Sequence, residues 1–107
     1  MSTKVHKILR ELKKDFFRIY GKSNVEKIIL YGSRARGDAR DDSDIDVLVV
    51  MKQDFNYGEA LRLSSKLVAS LSLENDMVIS RAFVTKAQYE HLQIPFLMNV
   101  RREGVTV

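Results

Sequence analysis

The chain of 107 residues contains no cysteine. That excludes a disulfide framework, a thiol nucleophile and a Cys-ligated zinc site, and it is compatible with a reducing cytoplasm. Histidine is almost as scarce. His6 and His91 stand alone on predicted helices, without metal-ligand spacing, and read as surface or packing residues. No stretch approaches the roughly 18 apolar residues that a membrane span needs. Residues 1–14 alternate apolar and basic side chains and lack the apolar core of a signal peptide. The expected location is therefore cytoplasmic. Tyr20, Tyr31, Tyr57 and Tyr89 are scattered and suggest no base-stacking platform. There is no repeat, low-complexity tract or internal linker.

What is present fits a small globular protein: 45% apolar and 30% charged residues. The length predicts a single domain over residues 1–107, with one modest core and little material for a separate acceptor-binding domain. The net charge of +4 is unevenly spread. Residues 1–27 carry eight Lys/Arg against three Asp/Glu, whereas residues 38–46 carry five Asp against one Arg. The basic segment reads as a solvated helix face, or as a surface that attracts nucleic acid, an acidic partner or a triphosphate.

Apolar spacing predicts the elements. Val5, Ile8, Leu9, Leu12, Phe16, Ile19 and Tyr20 follow a helical period, capped by Ser2 or Thr3 and stopped by Gly21. Val25–Tyr31 reads as a strand, and Ser33–Asp38 as a tight turn with one helical turn. A second strand is expected over Asp44–Met51, a helix over Glu59–Leu73 and a third strand over Met77–Val84. Thr85 and Gln88 form a capping-box pattern for a helix to Leu92. Pro95 opens a last helix, Phe96–Glu103, that Gly104 ends. The fold class is α/β (α+β): a small mixed sheet of about three strands packed with four to five helices.

The chemistry concentrates in Leu30-Tyr31-Gly32-Ser33-Arg34-Ala35-Arg36-Gly37 and Asp41-Asp42-Ser43-Asp44-Ile45-Asp46-Val47. Asp44 and Asp46 are two apart on a predicted strand, so both carboxylates face one side. Two such charges beside an apolar strand repel and lose hydration, and a divalent cation relieves both costs. Oxygen ligands suit Mg²⁺ or Mn²⁺. Gly32-Ser33 falls where a strand turns into a helix, a place where phosphate can approach backbone N–H groups. The Ser33 hydroxyl and the guanidinium groups of Arg34 and Arg36 are candidate phosphate donors. Each piece alone is a common turn or loop edge; their combination at this spacing predicts a nucleotide site.

The Gly-Ser followed by Asp-x-Asp resembles the signature of the DNA polymerase β-like nucleotidyltransferase superfamily. The spelling Gly-Ser-Arg-Ala-Arg-Gly and the short chain are similar to its minimal nucleotidyltransferase branch, as is Asn99-Val100-Arg101-Arg102-Glu103-Gly104. The resemblance implies the polymerase β-like fold and two-metal phosphoryl transfer. Asp44 and Asp46 would bind two Mg²⁺ ions, and Gly32 and Ser33 the β- and γ-phosphates of ATP. It also implies a third carboxylate on a later strand, for which the candidates are Asp76, at the start of the third strand, and Glu74. The resemblance further implies an antitoxin that places AMP on a tyrosine of a HEPN toxin partner. The alternatives are a non-catalytic nucleotide- or partner-binding antitoxin module and nucleotide addition to RNA. Acceptor, base preference and homo- or hetero-oligomeric state are not readable.

Overall fold

The computed structural model describes residues 2–107. Helix α1 (Thr3–Tyr20) starts where the Ser2 side chain accepts from the Val5 amide and stops at Gly21, whose φ of +91° suits glycine. Its stripe of Val5, Ile8, Leu9, Leu12, Phe16 and Tyr20 is buried, and its basic residues face outward. Strand β1 (Val25–Tyr31) follows, then one helical turn, α2 (Ser33–Arg36), and strand β2 (Ile45–Met51). Helix α3 (Tyr57–Asn75) is capped by the Asn56 side chain. Strand β3 (Ile79–Thr85) leads into α4 (Lys86–His91) through the expected Thr85–Gln88 capping box. Pro95 sits in the first turn of α5 (Pro95–Glu103), and a two-residue strand, β4 (Val105–Thr106), ends the order.

The sheet runs β3-β2-β1-β4, so it has four strands where about three are expected from the sequence. β4 is too short to leave an apolar pattern; it exists because its residues pair with Ile29 and Leu30 of β1. β1 lies antiparallel to β2, and β2 lies parallel to β3. The C-terminal end of β1 therefore meets the N-terminal ends of β2 and β3 at one edge of the sheet. The register pairs Tyr31 with Asp46, and Asp46 with Ser80.

The two faces of the sheet are unequally covered. Alternate strand residues separate onto opposite sides. Ile28, Leu30, Ile45, Val47, Val49 and Phe83 pack against α1 and α3 in a cluster of 18 buried residues. The Tyr20 hydroxyl donates to the Ala60 carbonyl at 2.5 Å and ties the two helices. Arg81 projects to this side, where its Nε donates to the Ser64 hydroxyl at 2.8 Å. Among the described residues, the opposite face holds only Ile29, Leu48, Val50, Leu97 and Val100 as a buried cluster, beneath α5. Asp46 and Ser80 share the alternation of this thinner side.

Candidate functional site

Gly32 has φ +76° and ψ −158°, a backbone region open essentially to glycine alone. Its missing side chain is also a spatial requirement. A β-carbon there would lie 2.6 Å from Oδ2 of Asp46. The turn after β1 and the start of β2 thus press backbone against carboxylate, and this close approach is the core of the site. Gly37, at φ +83°, closes the short α2 turn, with its amide donating to the Ser33 carbonyl.

Asp46 is half-buried and Asp44 exposed, immediately ahead of β2. Burial holds the Asp46 carboxyl above the usual carboxylate range, and the charge of Asp44 adds to the shift. Like charges partly removed from water favour a cation between them. Tyr31, across from Asp46, has its hydroxyl pushed up to about 12, mainly by burial and further by Asp46 and Tyr57. It is a neutral hydrogen-bonding group at physiological pH. Its ring meets Phe96 edge-on, with centroids 5.3 Å apart.

The predicted site residues separate into two groups. Gly32 lies against Asp46, Ser33 follows it in the turn, and Asp44 is close enough to Asp46 to act on its carboxyl. Arg34 and Asp76 are placed differently from the expectation. Arg34 was expected to face phosphate; instead its Nε and Nη2 donate to the Ser43 carbonyl at 3.1 and 2.8 Å, and Nη2 also to those of Arg40 and Asp41 at 3.3 Å. It clamps the loop that delivers Asp44. Arg36 is exposed, pairs with Asp38 at 3.3 Å and with Glu103 at 3.5 Å, and lines the cavity beside Gly32.

Asp76 does not open β3. It is the exposed C-cap of α3 in left-handed conformation, φ 49° and ψ 48°, three residues ahead of the strand. A short polar side chain tolerates that conformation, which is why the helix can end there without glycine. Glu74 is exposed on the last turn of α3. Among the described residues, no three His, Cys, Asp or Glu side chains converge in a way that could hold a metal ion. Two carboxylates remain, a set that suits Mg²⁺ when phosphate oxygens and water complete it.

The Asn99–Gly104 segment also acquires a physical account. Asn99, Val100 and Glu103 line a cavity of about 170 Å³ with Tyr31, Gly32, Arg36 and Phe96. Gly104 lets α5 close down on β1, since a β-carbon there would lie 2.5 Å from the Ile29 side chain. Arg101 donates to the carbonyls of Tyr89 and Leu92 at 2.6 and 3.2 Å, holding α4 to α5. Phe96 joins this cavity to a larger cleft of about 400 Å³ lined in part by Phe55, Tyr57, Val84, Leu92 and Ile94. Sequence reasoning missed Tyr31 and Phe96. The available signal for Tyr31 was its position directly before Gly32, at the end of the strand; Phe96 carried none.

Comparison with known proteins identifies similar chains and folds. A Methanocaldococcus jannaschii chain provisionally named a protein adenylyltransferase is 34% identical over 100 residues, covering 94% of this chain and 95% of its own. Protein adenylyltransferase MntA of Thermococcus cleftensis is 33% identical over 75 residues, 70% of this chain and 73% of its own. A provisionally assigned nucleotidyltransferase structure from Sulfolobus solfataricus aligns with TM-score 0.59 at 21% identity, over 99% of this chain and 86% of its own. A toxin–antitoxin structure with AMP-PNP aligns with TM-score 0.57 at 20% identity, over 96% of this chain and 68% of its own. At those identities the structures speak for the fold. The family described as polymerase beta, nucleotidyltransferase matches residues 8–105, and the chain belongs to this nucleotidyltransferase family.

Proposed function

We propose that this nucleotidyltransferase transfers AMP from ATP to a tyrosine hydroxyl of a partner toxin of the HEPN type, and so acts as its antitoxin. The observation that carries the reading is the contact of Gly32 with Asp46, where a glycine backbone and a carboxylate lie closer than any side chain would allow. The relatives named protein adenylyltransferase and the toxin–antitoxin structures support the choice of acceptor class.

In this reading Asp44 and Asp46 would hold Mg²⁺, and the ion would supply charge neutralisation for the triphosphate and polarisation of the α-phosphorus. Gly32 admits the β- and γ-phosphate oxygens to the backbone. The Ser33 hydroxyl and the Arg36 guanidinium donate to them, Arg36 exchanging its exposed carboxylate partners for phosphate. Arg34 keeps the Asp44 loop in place. The acceptor oxygen attacks the α-phosphorus in line; the bond to the bridging oxygen breaks, pyrophosphate leaves, and the hydroxyl proton passes to solvent.

RNA is a weaker acceptor. Its support is the basic polar face of α1, and α1 packs on the side of the sheet opposite Asp46. Nucleic acid held there would have the sheet between it and the carboxylates.

The test is incubation with Mg²⁺ and α-labelled ATP, with and without the protein encoded beside this one. Label on that neighbour, lost with Asp44→Asn and Asp46→Asn, is the expected result. A stable complex that forms equally with both versions and carries no label would make the chain a binding module instead.

A further inference from the structure

The parallel pairing of β2 with β3 makes Ser80 the direct neighbour of Asp46. Residues paired in this way project to the same side of a sheet. Ala82 and Val84, further along β3, lie against the thinner core cluster, which fixes the face on which Ser80 falls. Ser80 is half-buried there, like Asp46. On this face the next β3 residue is Ala82, so the strand beside the two aspartates offers a hydroxyl and a methyl group and no acid. The acids that precede β3, Glu74 and Asp76, are both exposed outside it.

Building on the assignment of Asp44 and Asp46 as cation ligands, we propose that Ser80 occupies the third protein position of this site. The protein then holds a divalent cation weakly until nucleotide phosphates complete the shell. Affinity for hard cations rises with the number of charged oxygen ligands. Two aspartates and a neutral hydroxyl provide two negative charges where a third carboxylate would provide three. The lower charge costs affinity for the free ion, and it lowers the repulsion that an incoming triphosphate meets. Cation and nucleotide therefore load together, and the empty protein does not retain the metal.

The experiment is a Mn²⁺ titration of the full chain without nucleotide, with free Mn²⁺ read by electron paramagnetic resonance. Wild type, Ser80→Asp, Ser80→Asn and Asp46→Asn are compared, each checked for a cooperative thermal transition. Ser80→Asp is expected to tighten Mn²⁺ binding by about tenfold or more, as an added charged ligand should. Ser80→Asn, of similar size and no charge, should leave it unchanged and so separates charge from packing. Adding AMP-PNP should tighten wild-type binding more than it tightens Ser80→Asp. If Ser80→Asp binds Mn²⁺ no better than wild type while Asp46→Asn binds it worse, the assignment of Ser80 fails and the aspartate site stands. If Asp46→Asn leaves Mn²⁺ binding unchanged, the aspartate site itself falls.

Discussion

At the scale of single residues, Gly32 joins backbone conformation to chemistry. Its positive φ and its contact with Asp46 are separate constraints that a side chain would break together. Gly32→Ala is expected to cost about 1–3 kcal/mol of stability from backbone strain. On the proposed reading it should lower AMP transfer by about a hundredfold, because the displaced carboxylate no longer holds the cation that the phosphates share. Chemical denaturation and the labelling assay measure the two effects separately. Tyr31 makes a different prediction, in pH. Its hydroxyl is pushed up to about 12 in the folded chain from the ordinary value of 10.0, mainly because it is buried. A raised folded-state value means that the unfolded chain loses its proton first. Stability tied to Tyr31 is thus fully present below pH 10 and is lost as pH rises towards 12. Tyr31→Phe should flatten this alkaline decline in thermal melts. A decline as steep as that of wild type would assign it to other groups, of which Tyr20, also raised by burial, is the first candidate.

At the scale of elements, the loop from Arg40 to Ser43 is held through its own carbonyls by Arg34. Arg34→Ala is expected to cost only about 0.5–1.5 kcal/mol of stability, since water reaches the carbonyls it leaves. It should reduce transfer well beyond what Arg36→Ala does, because it releases the segment that carries Asp44. If Arg36→Ala proves the more damaging and Arg34→Ala the milder, the clamp is not what positions the carboxylates. This division of labour was hidden in the sequence: two arginines in one turn look alike until their acceptors are seen. What was legible were segments with strong local signals. Val25–Tyr31 is a strand as expected because its apolar run is bounded by Gly32, and the Thr85 capping box sets the start of α4. α3 extends beyond its expected ends, since the Asn56 cap lets it begin earlier and Asp76 ends it in a conformation usually left to glycine. That cap also shifts β3 two residues downstream, to Ile79, and removes Asp76 from the strand. That the Gly32-Ser33 turn and the Asp44/Asp46 segment lie on adjacent strand ends was legible from their spacing. That β3 carries no acid depended on where the strand begins, which the left-handed cap at Asp76 sets and the local sequence pattern does not show.

At the scale of the whole molecule, the sheet divides support from chemistry. The face under α1 and α3 holds the large cluster of 18 buried residues, and the face with Asp46 holds five. Burial is the main source of stability, so the two sides differ in what it costs to expose them. α4 has no buried residue, and α5 is held chiefly by Leu97, Val100 and the Arg101 bonds. Amide hydrogen exchange should therefore find α4 and α5 opening with a smaller free energy than α1, β1 and β2, which should exchange only on global unfolding. Uniform protection across the chain would refute this. The walls that α5 lends to the Gly32 cavity belong to the part of the molecule with the smaller buried core. On the proposed function, such opening would let the edge beside Gly32 admit a bulky acceptor or release pyrophosphate while the larger core beneath it holds β1 and β2.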